Sequence, residues 1–139
     1  MAAITYDIPS AAAMERLGAE LAPKLKPGSV VFLEGNLGAG KTTLVRGLLR
    51  GLGYPGNVKS PSFTLIESYS LPQAQVYHFD LYRLIDPEEL EFLGYRDYFS
   101  PHSICLIEWP QHAQGRLPQP TLTLKFEIKE ESRRVSFIS

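Results

Sequence analysis

Apolar residues recur along this chain at two spacings, one helical and one strand-like, and the switches between them mark the elements. Met14, Leu17, Leu21 and Leu25 fall on one face of a helix that starts after Ser10, a residue type suited to the N-cap. Pro23 should kink or thin that helix near its end, and Lys26-Pro27-Gly28 stops it. Ser29 to Glu34 is a short apolar run, the pattern of a strand covered on both faces. A glycine-rich stretch from Gly35 to Gly40 follows. The next helix runs from Lys41 to about Leu52, with Leu44, Val45, Leu48, Leu49 and Leu52 at helical spacing and Gly53 placed to end it.

Further on, Thr64 to Tyr69 and Gln75 to Tyr82 predict a strand pair about a turn at Leu71-Pro72-Gln73. Asp86-Pro87-Glu88-Glu89 opens a short helix, with Asp as N-cap, Pro at the first helical position and Glu three residues after the cap; it ends near Gly94. Ser103 to Glu108 is a second buried strand, ended by Pro110, and Thr121 to Glu130 with Arg133 to Ile138 predict a hairpin or neighbouring strands. Early strand-helix order followed by several strands predicts an α/β fold with a mixed sheet.

Composition bounds what such a fold can be. At 139 residues, 44% of them hydrophobic, the chain reads as one domain over residues 1–139 that buries roughly two-thirds of its unfolded surface without a disulfide or metal staple. The single cysteine, Cys105, excludes a disulfide scaffold. No apolar run approaches the roughly 18 residues of a membrane span, and the amino-terminal residues lack the basic and apolar regions of a signal peptide, so a cytosolic protein is expected. The net charge of −1 removes the basic excess that unaided nucleic-acid binding requires, so any role on RNA would run through a partner or a small local patch.

The decisive motif is Gly35-Asn36-Leu37-Gly38-Ala39-Gly40-Lys41-Thr42, which satisfies the phosphate-loop pattern G-x-x-x-x-G-K-[ST]. Glycines let successive backbone amides turn toward phosphate oxygens that side chains would obstruct. Lys41 reaches the β- and γ-phosphates, Thr42 offers a hydroxyl to Mg²⁺, and the helix that starts there adds its positive end. An apolar strand before the loop and an amphipathic helix after it supply the context the chemistry needs.

Hydrolysis requires acids as well. Two stand at the carboxyl ends of strand-like runs: Glu108 after Ile104-Cys105-Leu106-Ile107, and Asp80 after Val76-Tyr77-His78-Phe79. Glu108 is the expected metal-side acid, because its strand is the more apolar and so the expected neighbour of the phosphate-loop strand. Ser60-Pro61-Ser62-Phe63 stands where nucleotide hydrolases place a switch segment, though an ordinary turn has the same spelling. Arg133 and Arg134 beside the last turn read either as charges brought to the nucleotide or as solvated side chains. His78, His102 and His112 lack metal-ligand spacing and read as structural; Cys105 reads as core, and Trp109 as a packing residue.

Taken together, these segments resemble the TsaE (YjeE) family, ATPases of bacterial tRNA threonylcarbamoyladenosine formation. The resemblance covers nearly the whole chain. It rests on Gly35 to Thr43, Val58-Lys59-Ser60-Pro61-Ser62-Phe63-Thr64, His78-Phe79-Asp80-Leu81-Tyr82-Arg83-Leu84, Glu89 to Gly94 and Ile107-Glu108-Trp109-Pro110. The Asp-Leu-Tyr-Arg-Leu and Ile-Glu-Trp segments are the specific ones. The family commonly has Asp at Asn36, Thr at Ser62 and an acid near Arg96; Ser62 keeps the hydroxyl, whereas Arg96 speaks against a functional acid there.

The resemblance implies a single small P-loop NTPase domain with a mixed, partly antiparallel sheet flanked by helices, and ATP and Mg²⁺ as ligands. It implies a Mg-dependent ATPase that is weak alone and stimulated by its partners, TsaD and TsaB, with tRNA met only through that complex and no membrane involved. By position, Gly35, Leu37, Gly38, Ala39, Gly40, Lys41, Thr42 and Thr43 would bind phosphate, Thr42 and Glu108 would hold Mg²⁺, and Asp80 would orient water. The amino-terminal helix and Arg133 would flank the base or ribose. Two other readings stay open: a small-molecule kinase, for which the chain has little room for a lid, and a nucleotide-gated scaffold with negligible hydrolysis. No guanine-selective Asn-Lys-x-Asp segment is present, which favours ATP.

Overall fold

A computed structural model describes residues 3–61 and 63–139. Among these residues seven strands form one sheet: β1 (Ala3–Ile8), β2 (Val30–Glu34), β3 (Ile66–Ser70), β4 (Gln75–Asp80), β5 (Ser103–Glu108), β6 (Leu122–Ile128) and β7 (Arg133–Ile138). Helices α1 (Ala11–Leu21), α2 (Lys41–Gly51) and α3 (Glu88–Phe92) accompany them. The strand order is β1-β7-β6-β2-β5-β4-β3. The inner four, β6, β2, β5 and β4, run parallel, whereas β3, β7 and β1 join through antiparallel pairings at the two edges. The expected mixed, partly antiparallel α/β sheet is therefore present.

Local chemistry explains the helix ends. Ser10 caps α1, its hydroxyl accepting from the Ala13 amide at 3.1 Å, and Pro23 converts the end of that helix into a 3-10 turn over Ala22–Lys24. Helix α2 closes through Gly53, whose φ of +94° lets the Tyr54 amide reach the Leu49 carbonyl at 2.9 Å and the Gly53 amide reach Arg50 at 3.0 Å. Helix α3 starts one residue later than expected, with Pro87 as its N-cap; Asp86 stands just before it, its Oδ1 accepting from the Glu88 amide at 3.0 Å.

Strand β1 has no counterpart in the sequence pattern. It is an edge strand held by backbone pairing to β7 from Ala3↔Ile138 to Ile8↔Arg133, and only Ile8 in it is buried, so it carries almost no hydrophobic signal. Strands β3 and β4 are shorter than their apolar patterns: β3 starts at Ile66 because Leu65 has φ 67°, and β4 stops at Asp80.

The two sheet faces have separate cores. On one, Val31, Leu33, Val76, Leu106 and Leu124 pack with Met14 and Leu17 of α1 and Leu44 and Leu48 of α2. On the other, Val30, Phe79, Cys105 and Ile107 pack with Leu90 and Tyr95. Because side chains alternate along a strand, Val76, His78 and Asp80 share the α2 face with Ile104, Leu106 and Glu108. No helix among the described residues is long and apolar enough to cross a membrane.

Candidate nucleotide site

Parallel strands end on the same side of a sheet, and here three of those ends make the site. Strand β2 runs into the glycine loop, Leu33 lies beside Glu108 at the end of β5, and Glu108 lies beside Asp80 at the end of β4. Strand β5 is thus a direct neighbour of the phosphate-loop strand and β4 is not, in keeping with the more apolar run of β5.

The loop turns into α2 at Gly40, whose φ of +103° an L side chain would adopt only under strain; Gly38 has φ +78°. Gly40 is the N-cap and brings no side-chain acceptor to the first-turn amides, so that end of α2 is suited to an anion. Lys41 is buried, its ammonium donating to the Gly35 carbonyl. Burial lowers the pKa of Lys41, opposed by the Glu108 and Asp80 carboxylates.

Leu37, Gly38, Lys41, Thr42, Asp80 and Glu108 line one cavity of about 310 Å³, which Ser60 and Trp109 also border. Thr42 Oγ1 donates to Glu108 Oε2 at 3.2 Å. Asp80 Oδ1 accepts from the Tyr82 amide at 3.1 Å. Burial, and after it the Glu108 carboxylate, raises the pKa of Asp80 above the usual carboxylate value.

Two residues that read as structural in the sequence belong to this site. His78 is fully buried, with Nε2 2.6 Å from Glu108 Oε2. Trp109 follows Glu108 with φ 57°, a left-handed turn that sets its indole centroid 4.2 Å from the Lys41 ammonium and 5.0 Å from the Tyr82 ring. His112 stays peripheral: Nδ1 lies 2.8 Å from the Leu81 carbonyl oxygen, and the ring packs beside Trp109. Only the polar character of His78 inside an apolar strand, two residues before Asp80, hints at its placement.

A second cavity of about 300 Å³ adjoins the loop. Ser10, Ala11 and Met14 at the start of α1 line it, with Gly38, Thr43 and Arg133. Arg133 Nε donates to the Gly38 carbonyl at 3.3 Å, and the cavity lies between the start of α1 and Arg133. Arg134 instead pairs with Asp7 at 3.1 Å. Of the switch segment, Ser60 lies at the first cavity and Ser62 lies outside the described residues. Phe63 is 85% exposed, with the Arg83 guanidinium 4.9 Å from its ring centroid.

The donor set suits a magnesium ion brought in with phosphates. Such an ion takes one or two oxygen ligands from protein, and Thr42 and Glu108 offer a hydroxyl and a carboxylate within one cavity. No cluster of three or more His, Cys, Asp or Glu able to hold a metal occurs among the described residues.

Comparison with known proteins places the chain among similar sequences and one similar structure. The family model described as threonylcarbamoyl adenosine biosynthesis protein TsaE matches residues 8–135. The tRNA threonylcarbamoyladenosine biosynthesis protein TsaE of Haemophilus influenzae is 49% identical over 144 residues, an alignment covering 100% of this chain and 91% of that protein. Its namesake from Bacillus subtilis is 42% identical over 113 residues, 81% of this chain and 70% of that one. The crystal structure of Bacillus subtilis YdiB superposes with a TM-score of 0.82 at 31% identity, covering 98% of this chain and 84% of that chain.

Proposed function

The chain belongs to the TsaE family of threonylcarbamoyl adenosine biosynthesis proteins, and on that premise we propose that it is a Mg²⁺-dependent ATPase serving the formation of threonylcarbamoyladenosine in tRNA. The observation that carries this reading is the convergence of Lys41, Thr42, Asp80 and Glu108 on one cavity at the end of the glycine loop. Residues 1–139 act as one phosphate-loop domain in the cytoplasm. The loop from Gly35 to Thr43 cradles the phosphates, and the space between α1 and Arg133 takes the nucleoside.

Each side chain has a task its surroundings support. Lys41 gives its ammonium to phosphate oxygens; incoming anionic charge favours the protonated form that burial disfavours. Thr42 and Glu108 hold Mg²⁺, which when bound spreads the charge of the phosphate oxygens. Asp80 orients the attacking water with the oxygen that Tyr82 does not hold; its raised pKa makes it the better proton acceptor. Ser60, with Ser62, forms a segment that answers the γ-phosphate. The partners are TsaD and TsaB, and tRNA is reached only through them, consistent with a net charge of −1.

The test is steady-state phosphate release from ATP with Mg²⁺, for the chain alone and with TsaD and TsaB added. Stimulation by the partners, lost in Lys41→Ala and Glu108→Ala, is expected. ATP binding without stimulated release, and assembly unaffected by Glu108→Ala, would replace the ATPase with a nucleotide-gated scaffold.

A further inference from the structure

We propose that His78 is a positioning residue that holds the Glu108 carboxylate in the orientation required to take Mg²⁺; this rests on the magnesium role given to Glu108 above. His78 stands on β4 two residues before Asp80, on the same face, and is fully buried. Register pairs Asp80 with Glu108 and His78 with Leu106, so the imidazole lies diagonal to the acid across the parallel strands, one step deeper in the sheet.

A carboxylate accepts only, so the 2.6 Å contact assigns the proton to Nε2, which donates to Oε2. Thr42 donates to the same oxygen at 3.2 Å. One donor thus comes from the mouth of the phosphate loop and the other from the buried strand. Together they fix the terminal torsion of Glu108, which alone is broad and soft.

The other ring nitrogen marks the purpose of the histidine. Nδ1 is buried and has no hydrogen-bond partner among the described residues. An apolar residue such as the neighbouring Val76 would fill such a position with no unpaired polar atom. Leaving Nδ1 unsatisfied in the core costs stability, and the bond that Nε2 makes to Glu108 is what this position gains in exchange. Partners that orient a metal-binding side chain in this way typically govern metal affinity by about 10–100-fold.

The test compares two amides of different reach. His78→Gln places its amide near the Nε2 position, whereas His78→Asn, with the same chemistry, stops near Nδ1 and falls short of Glu108. The readout is the factor by which Mg²⁺ tightens binding of a non-hydrolysable ATP analogue, from calorimetric Kd values with EDTA and with Mg²⁺. Thermal melts confirm that each variant is folded. His78→Asn should lose about tenfold of that factor, His78→Gln should stay within about threefold of the native chain, and affinities in EDTA should agree. Equal factors for His78→Asn and the native chain, or equal losses in both variants, overturn the inference. Glu108→Gln separates the two levels. If Glu108→Gln leaves the factor unchanged, the magnesium role of Glu108 falls and the His78 role with it. If Glu108→Gln lowers it and His78→Asn does not, only the His78 role falls.

Discussion

Replacing Gly47 by alanine tests whether backbone contact with α1 sets the position of the phosphate-binding helix α2. A Cβ on Gly47 would lie 1.9 Å from the Glu15 carbonyl oxygen and 2.6 Å from the Glu15 carbonyl carbon. Both are backbone atoms, so no side-chain rotation relieves the overlap. Ordinary contact begins at 3.4 Å, so the helices must separate by about 1.5 Å, loosening the packing of Met14 and Leu17 against Leu44 and Leu48. Overpacking of this kind costs ~1–3 kcal/mol, and contact with rigid backbone belongs at the upper end; the helical preference of Ala over Gly returns about 1 kcal/mol. The net loss is therefore about 2 kcal/mol. With an unfolding entropy of ~2.1 cal/mol/K per residue, a 139-residue chain should melt about 7 °C lower, measured by circular dichroism. A Tm equal to or above that of the native chain would refute the reasoning, because helix propensity would then outweigh the contact. Gly18 on α1 gives an internal check: its Cβ would meet the Leu44 carbonyl oxygen at 2.2 Å and the Leu48 amide nitrogen at 2.7 Å. One separation relieves both clashes, so the double variant should lose at least ~1 kcal/mol less than the two single losses added together.

Two further outcomes follow from buried groups. Asp80 has its pKa raised in the folded chain above the unfolded value of 3.8, so its ionised form costs stability at neutral pH; Asp80→Asn should be the more stable protein at pH 7, with the advantage fading as pH falls through the folded pKa toward 3.8. Urea unfolding at the two ends of that window checks the sign, and a less stable Asp80→Asn at pH 7 would contradict it. Cys105 is 1% exposed, donates to the Tyr98 carbonyl at 3.3 Å, and has its thiol pKa pushed up to about 12 by burial. A thiol reagent at pH 8 should modify it only as the sheet opens and completely in denaturant, whereas immediate stoichiometric labelling of the native chain would contradict its place in β5.

Elements whose signal is local are legible in the residue order alone. Ser10, Gly53 and Asp86 act at the helix ends where their side chains or φ angles suit them, because capping involves residues within one turn. The glycine loop between β2 and α2 is legible for the same reason. Edge strand β1 is not, since its pairing with β7 uses backbone groups and buries little beyond Ile8. His78 escapes a reading by metal-ligand spacing, which is the wrong criterion for a residue that acts on a carboxylate 30 positions away. Trp109 reads as packing; its left-handed backbone, which aims the indole at Lys41, leaves no mark in the residue types around it.

The α/β class, the phosphate loop and the two acids at strand ends are written in the residue order, because periodicity, capping and glycine geometry are properties of short segments. The placing of β5 between β2 and β4, the register of Asp80 with Glu108 and the reach of Arg133 to Gly38 across 95 residues of chain emerge with the assembled fold. Those contacts depend on strand order and register. Both are settled by how the faces of the whole sheet bury against α1, α2 and α3, and no local propensity carries that information.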